Sequence, residues 1–118
     1  DDFGDDCVVF HKLEQIKTTW EHLRQLSQRM HCLVVTATQV NAASYSKRTL
    51  DRSNFAGSHL KFAEITCVLA INILAEERES QVMRLNMLMQ RDGACNPRRC
   101  LHVAQCLALA NPCVRSTF

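Results

Sequence analysis

The sequence predicts an α/β fold with a mixed sheet, in which parallel strands come first and an antiparallel β-meander follows. Two observations predict it. An amphipathic stretch over residues 8–30 leads directly into an apolar run over residues 32–37, as in α/β units whose buried strands are apolar on both faces. After residue 66, three strand-like runs are separated by short polar connections, which is typical of a meander. Helices are expected to flank this sheet.

Length and composition favour one domain over residues 1–118. With 47% hydrophobic residues the chain can form a real core, and a net charge of +2 gives no global basic field, so contact with nucleic acid must come from a local cluster. No apolar run is long enough for a membrane span, and no signal peptide is visible. The seven cysteines include no CxxC pair. This usage favours a reduced, cytoplasmic protein over a metal site.

The first element is predicted to be an amphipathic helix. Its apolar residues recur every three or four positions, and charged or amide side chains occupy the other faces. The apolar stripe comprises Leu13, Ile16, Trp20, Leu23, Leu26 and Met30.

The most informative segment is LVVTATQVN, residues 33–41. An apolar strand ends abruptly in Thr38 and Gln39, and parallel sheets bind ligands at the carboxyl ends of their strands. The stretch over residues 42–58, here called the basic loop, has no strong period and carries small, polar and basic residues. Gln39 is therefore the first functional candidate.

The second half is predicted to form strands over residues 67–74, 82–90 and 100–110. A charged turn over 75–81 joins the first two, and Arg91-Asp92-Gly93 begins the next connection. Residues of the middle strand alternate between Met or Leu and more polar positions, so this strand is half polar.

These segments resemble the C-terminal half of a RecA-like ATPase core. The resemblance rests on HLRQLSQRMHCLVVTATQVN, on GSHLKFAEITCVLAINIL and on VMRLNMLMQRDG. The pattern is most similar to the hexameric replicative helicases of the DnaB type and to the allied KaiC and RadA proteins. The resemblance implies a partial RecA-like core in an ATP-dependent DNA helicase, with ATP and Mg²⁺ as ligands. It also implies single-stranded DNA as partner and a homo-oligomeric ring.

The resemblance implies a role for particular residues. Asp1 or Asp2 resembles the acidic residue that ends the Walker B strand and orients magnesium through water, with Asp1 as the metal-site candidate. Gln39 resembles the glutamine that senses the γ-phosphate. Arg91 resembles the arginine finger that a ring neighbour inserts into the nucleotide site. The DNA-facing residues of the basic loop would be Tyr45, Lys47, Arg48 and Arg52.

The sequence also departs from the family pattern. The phosphate-binding loop GxxxxGK[ST] and the catalytic glutamate are absent, so this chain alone is not expected to hydrolyse ATP. Met89 occupies the position of a second basic finger, which makes a more distant phage-like relative plausible. The alternative is a non-catalytic α/β module that binds single-stranded DNA or a protein partner through the basic loop.

Plainer interpretations stay open for each candidate. Gln39 is also compatible with a loop cap. Arg91 is compatible with a hairpin turn, because Asp-Gly is a strong turn signal. The basic cluster of the loop is compatible with solvation alone, and acids at a chain end such as Asp1 are commonly without function.

Overall fold

A computed structural model of the chain describes residues 13–55 and 61–118. They form an α/β protein with two helices and one four-stranded antiparallel sheet. The elements, in chain order, are helix α1 (Leu13–Met30), strand β1 (Cys67–Asn72), helix α2 (Ala75–Glu79), and strands β2 (Val82–Gln90), β3 (Cys100–Cys106) and β4 (Asn111–Thr117).

Helix α1 confirms the predicted amphipathic helix within the described residues. It ends after Met30 because His31 adopts a left-handed conformation with φ 49°, which reverses the chain at the helix C-terminus. The amide of Cys32 then donates to the carbonyl of Ser27 at 3.1 Å, and the Ser27 hydroxyl donates to the carbonyl of Cys32 at 2.7 Å. These two hydrogen bonds between Ser27 and Cys32 cap the C-terminal end of the helix.

The sheet confirms the predicted antiparallel meander. Its strand order is β1-β2-β3-β4, so each strand pairs with its neighbour in sequence. Strand β2 covers the predicted range 82–90, whereas β1 and β3 end earlier than predicted. In this half of the chain two elements differ from the sequence prediction: the charged segment after β1 forms the short helix α2 instead of a turn, and β4 forms in a segment for which no strand was predicted.

The predicted parallel strand over residues 32–37 does not form. The described residues contain no parallel strand pair, and this segment carries no strand assignment. Leu33 is 87% exposed and Val35 is 82% exposed. An apolar strand of this kind is stable only between two neighbouring strands with cover on both faces, and the described part of the chain offers it neither.

The core lies on one face of the sheet. Phe55 and Phe62 meet edge to face, with ring centroids 6.0 Å apart, and pack with Ala70 of β1 and Leu88 of β2. On the same face, the cross-strand pairs Asn72–Arg84 and Ala70–Asn86 place three buried polar side chains beside the apolar core: Asn72, Arg84 and Asn86. Val40, Leu50 and Ile65 also pack against this core, so segments within residues 40–55 and 61–65 cover this face.

The opposite face of the sheet is apolar, and at β1 it is exposed, whereas Val103 of β3 is buried on it. Leu69 and Ile71 of β1 are 57% and 60% exposed, and their cross-strand partners Met87 and Leu85 are half-buried. Strand β1 is also an edge strand, since β2 is its one partner in the described sheet. Unpaired edges of this kind readily accept another strand.

Candidate functional site

Gln39 lies between two fixed neighbours. On one side, the Thr38 hydroxyl accepts a hydrogen bond from the Lys61 ammonium at 2.8 Å. On the other side, Val40 forms a β-bridge with Phe55 and packs against the core. The Gln39 side chain itself is exposed and has no hydrogen-bond partner in the described part of the chain. Its backbone is therefore positioned while its amide remains available to solvent.

The structure links Gln39 and Arg91 through the turn over residues 61–65. Lys61 at the start of this turn contacts Thr38, as described above. Toward its end, the Arg91 guanidinium donates to the carbonyl of Ala63 at 2.6 Å and to that of Ile65 at 3.3 Å. The Arg91 side chain, predicted as an arginine finger, is thus engaged by carbonyls of its own chain.

Helix α1 is attached to the same turn. Arg24 donates to the carbonyl of Glu64 at 3.1 Å and lies 3.8 Å from the Glu64 carboxylate. The Lys61 ammonium lies over the Trp20 ring, 5.9 Å from the ring centroid, an arrangement that favours a cation. The turn is therefore a junction between α1, the Gln39 segment and the end of β2.

The basic loop leaves the Gln39 segment directly, and its residues 42–55 fall within the described part of the chain. Two short 3-10 turns, Ala42–Ser44 and Arg52–Asn54, shape it. Two residues of the loop, Ser44 and Asn54, are buried. All four residues predicted to contact DNA have exposed side chains on this loop: Tyr45, Lys47, Arg48 and Arg52.

Buried polar groups of the sheet hold the loop in place. Arg84 of β2 donates to the carbonyl of Arg48 and, at 3.3 Å, to the Thr49 hydroxyl. Asn72 of β1 accepts a hydrogen bond from the Leu50 amide at 2.8 Å. Because buried polar groups need such partners, the loop and the sheet stabilise each other. The described part of the loop is therefore held by the sheet at its centre and by the core through Phe55.

The three cations of the loop have different surroundings. Lys47 pairs with Asp51 at 3.2 Å, and Arg52 lies over the Phe62 ring, 4.9 Å from its centroid. The Arg48 guanidinium makes no hydrogen bond or ion pair within the described residues. Hydrogen bonds from Ser53 and then from Lys47 lower the pKa of Asp51, so this carboxylate stays charged and partly offsets the basic character of the loop.

A partly buried ion pair lies beneath the loop, with the Arg84 side chain 5% exposed and that of Glu77 19% exposed. Glu77 of α2 accepts hydrogen bonds from the Arg84 guanidinium and from the Leu74 amide at 2.8 Å. The hydrogen bond from Arg84 is the main cause that lowers the pKa of Glu77 below its ordinary value of 4.5. A lowered folded-state pKa means that the unfolded chain binds the proton more readily.

We expect this pair to weaken the fold in acid. The stabilisation from charged Glu77 is complete above pH 4.5 and is lost as the pH falls through the lower folded-state pKa. Urea unfolding at about pH 6 and about pH 3.5 measures the loss. In Glu77→Gln the difference between the two pH values should shrink. In Glu79→Gln, which changes an exposed residue of the same helix, it should equal that of the unaltered chain; equal losses in all three proteins would contradict this assignment.

Sequence reasoning missed three residues of this arrangement: Lys61, Glu77 and Arg84. The half-polar pattern of β2 contained a signal, because Arg84 and Asn86 alternate with apolar residues and so share one face. That signal does not say which face is buried. Nothing local to Lys61 indicates that its ammonium is buried against Thr38.

Several predicted features lie outside the described residues or find no support in them. Asp1 and Asp2, the cofactor and metal candidates, lie outside the described residues. Over residues 13–55 and 61–118, no group of three or more His, Cys, Asp or Glu side chains could hold a metal ion. The six cysteines in this range are free thiols. No helix in the described ranges has the length and hydropathy to span a membrane.

Comparisons of the chain with models of protein families, with curated proteins and with solved structures gave no match.

Proposed function

We propose that this chain is the C-terminal portion of a RecA-like core in an ATP-dependent DNA helicase or translocase of the DnaB type. In this proposal Gln39 senses the state of the bound nucleotide, the basic loop follows single-stranded DNA, and Arg91 serves the nucleotide site of a neighbour in the ring. ATP and Mg²⁺ bind in the complete core, where Asp1 or Asp2 would end the Walker B strand.

One observation carries the proposal: the basic loop begins immediately after the exposed Gln39. Both are held by the same core, through Val40 and Phe55 on one side and the Lys61–Thr38 hydrogen bond on the other. A change in the contacts of Gln39 therefore has a short, packed route to the loop. Coupling between two sites needs such a physical connection.

The open surfaces of the molecule also support the proposal. Among the described residues, the apolar segment over 32–37 has no strand partner and β1 is paired on one edge alone, and Leu69 and Ile71 are exposed on the face opposite the core. Exposed apolar patches and strand edges of this kind mark surfaces that pack against further protein. A larger parallel sheet would pair residues 32–37, and helices packed on such a sheet would cover its exposed apolar face.

In the proposal this chain does not hydrolyse ATP by itself. The sequence contains no GxxxxGK[ST] loop, so the chain lacks the backbone amides and the lysine that would hold the β- and γ-phosphates in the geometry that hydrolysis requires. Hydrolysis requires a segment with that loop, and a ring neighbour that receives Arg91.

A second candidate function is a non-catalytic module that binds single-stranded DNA through the basic loop. The observation that favours it is the engagement of Arg91, whose guanidinium donates to two carbonyls of its own chain. In this role Arg91 fixes the turn over residues 61–65, and no nucleotide is needed.

Both candidates predict that the basic loop binds single-stranded DNA. Replacing Lys47, Arg48 and Arg52 together with Ala should weaken binding of a fluorescent oligo(dT) by about tenfold or more, because cations and an aromatic ring on one loop are the usual contacts for a single strand. The plot of log affinity against log salt should become less steep by about 2, since each of the three lost phosphate contacts contributes about 0.7 to the slope. Anisotropy titrations at several salt concentrations measure both.

The matched control removes three cations elsewhere: Lys17, Arg29 and Arg98 are exposed and lie outside the loop. Their joint replacement with Ala changes the net charge equally and should leave the affinity within about twofold of the unaltered chain. Tyr45→Ala, which removes the exposed ring, should weaken binding while leaving the salt slope unchanged. If the loop variant and the control bind equally, the basic loop is not the DNA-binding surface.

A further inference from the structure

Lys61 is a buried cation with no carboxylate partner among the described side chains. The residue is 9% exposed. No described Asp or Glu side chain has an oxygen within ion-pair distance of the Lys61 ammonium. Glu64, three residues further on, pairs with Arg24 instead. Burial lowers the pKa of Lys61, because the charged form has lost water without gaining an anion.

The ammonium nevertheless lies next to the surface. It donates one hydrogen bond, to the Thr38 hydroxyl at 2.8 Å, and an ammonium has three donors. Thr38 and Gln39 are both exposed, so a ligand that hydrogen-bonds the Thr38 hydroxyl lies no more than about two hydrogen-bond lengths from the Lys61 nitrogen. Trp20 lies on another side of the ammonium, 5.9 Å away at its ring centroid.

We propose that Lys61, Thr38 and Gln39 form a binding site for a phosphate group. Lys61 contributes the positive charge, and the Thr38 hydroxyl and the Gln39 amide each donate a hydrogen bond at the surface. Three donors on three side chains suit an anion with several oxygens, and lysine is a common phosphate ligand that acts as a point charge. The anion restores the interactions that the ammonium lost on burial.

The phosphate can belong to a nucleotide or to the backbone of a single strand, and the site recognises the chemistry that both share. Assigning it to the γ-phosphate that Gln39 senses rests on the function proposed above. The existence of the site does not, since it follows from the buried Lys61 ammonium, its hydrogen bond to Thr38 and the exposed Gln39 amide.

Trp20 provides the measurement, because it is the one tryptophan of the chain and lies beside the Lys61 ammonium. Titrating the full chain with pyrophosphate at constant ionic strength should change the Trp20 emission saturably. In Lys61→Met the dissociation constant should rise by about tenfold or more, as expected for the loss of a charged hydrogen bond. Lys61→Arg should retain most of the affinity. Lys17→Met, at an exposed lysine of α1, should behave as the unaltered chain.

The proposal is overturned if Lys61→Met binds pyrophosphate as the unaltered chain does, or if the emission follows ionic strength whichever salt is added. Circular dichroism shows whether Lys61→Met folds. If it does not, Gln39→Leu and Thr38→Val replace it: affinity lost in both supports the site, and affinity unchanged in both overturns it.

Displacement of pyrophosphate then identifies the source of the phosphate. Displacement by ATP supports a nucleotide, and displacement by oligo(dT) supports a backbone phosphate. Failure of either arm rejects that source, and failure of both rejects the site. The loop variants above test the proposed function separately, since they leave Lys61, Thr38 and Gln39 in place.

Discussion

Replacing Arg91 with Ala is expected to reduce DNA-stimulated ATP hydrolysis by about a thousandfold or more in a chain that also carries an upstream phosphate-binding loop. An arginine finger neutralises charge on the transferring phosphoryl group, so its loss affects the chemical step and leaves nucleotide binding intact. In this structure the guanidinium donates to the carbonyls of Ala63 and Ile65. A phosphate from a neighbouring subunit would have to replace these carbonyls. Steady-state hydrolysis and binding of a fluorescent nucleotide, measured on the same preparation, separate the two effects.

The hydrogen bonds of Arg91 also give a stability prediction that separates the two candidate functions. Arg91→Ala should lower the free energy of unfolding by about 1 kcal/mol, because the two carbonyls lie near solvent and can be hydrated. Arg98→Ala, an exposed arginine in the same connection between β2 and β3, should change neither hydrolysis nor stability. If hydrolysis in Arg91→Ala falls no further than the folded fraction does, Arg91 fixes the turn and the non-catalytic module is favoured.

The sequence predicts the local elements of this fold well, because their signals are contained within one segment. The three- and four-residue spacing of apolar side chains places helix α1, and alternation together with the short polar connections places β2 and its neighbours. These patterns depend on which side chains share a face, and that relation is fixed by the helix or strand itself.

Features that depend on pairing with another segment were not predicted. The run over residues 32–37 has the composition of a buried strand, yet no described strand lies beside it. Strand β4 contains Pro112, a residue that argues against a strand unless it lies at an edge, and β4 is the edge strand next to β3. In both cases the presence of a neighbouring strand decides whether a strand forms, and the sequence of the segment itself does not show whether such a neighbour is present.

The same distinction applies to the candidate site. Exposure of Gln39 and of the basic loop could be expected from their polar composition. The burial of Lys61 against Thr38, the capture of the Arg91 guanidinium by Ala63, and the support of the loop by Arg84 each join residues more than twenty positions apart. Spacing along the sequence carries no information about such contacts.

Arg84 is the residue whose replacement should destabilise the fold most among the polar groups described here. Its side chain is 5% exposed, and its guanidinium joins Glu77 of α2 to the Arg48 carbonyl and the Thr49 hydroxyl of the basic loop. Arg84→Met should lower the free energy of unfolding by about 3–5 kcal/mol, because it leaves the Glu77 carboxylate largely buried without its partner. Urea unfolding followed by circular dichroism measures this loss.

A second substitution tests whether the unpaired carboxylate causes the loss. Replacing Glu77 with Leu in the Arg84→Met background removes that charge, and the double variant should recover part of the lost stability, as expected when apolar residues replace a whole buried pair. The free energy of unfolding of Arg78→Met, at an exposed arginine of α2, should be within about 0.5 kcal/mol of that of the unaltered chain.

Because Arg84 also holds the backbone of the basic loop, both Arg84 variants should bind oligo(dT) more weakly when they are folded, in the absence of urea. If the double variant regains full stability but still binds DNA weakly, Arg84 positions the loop for binding. If both variants bind DNA as the unaltered chain does, the loop keeps its binding conformation without Arg84.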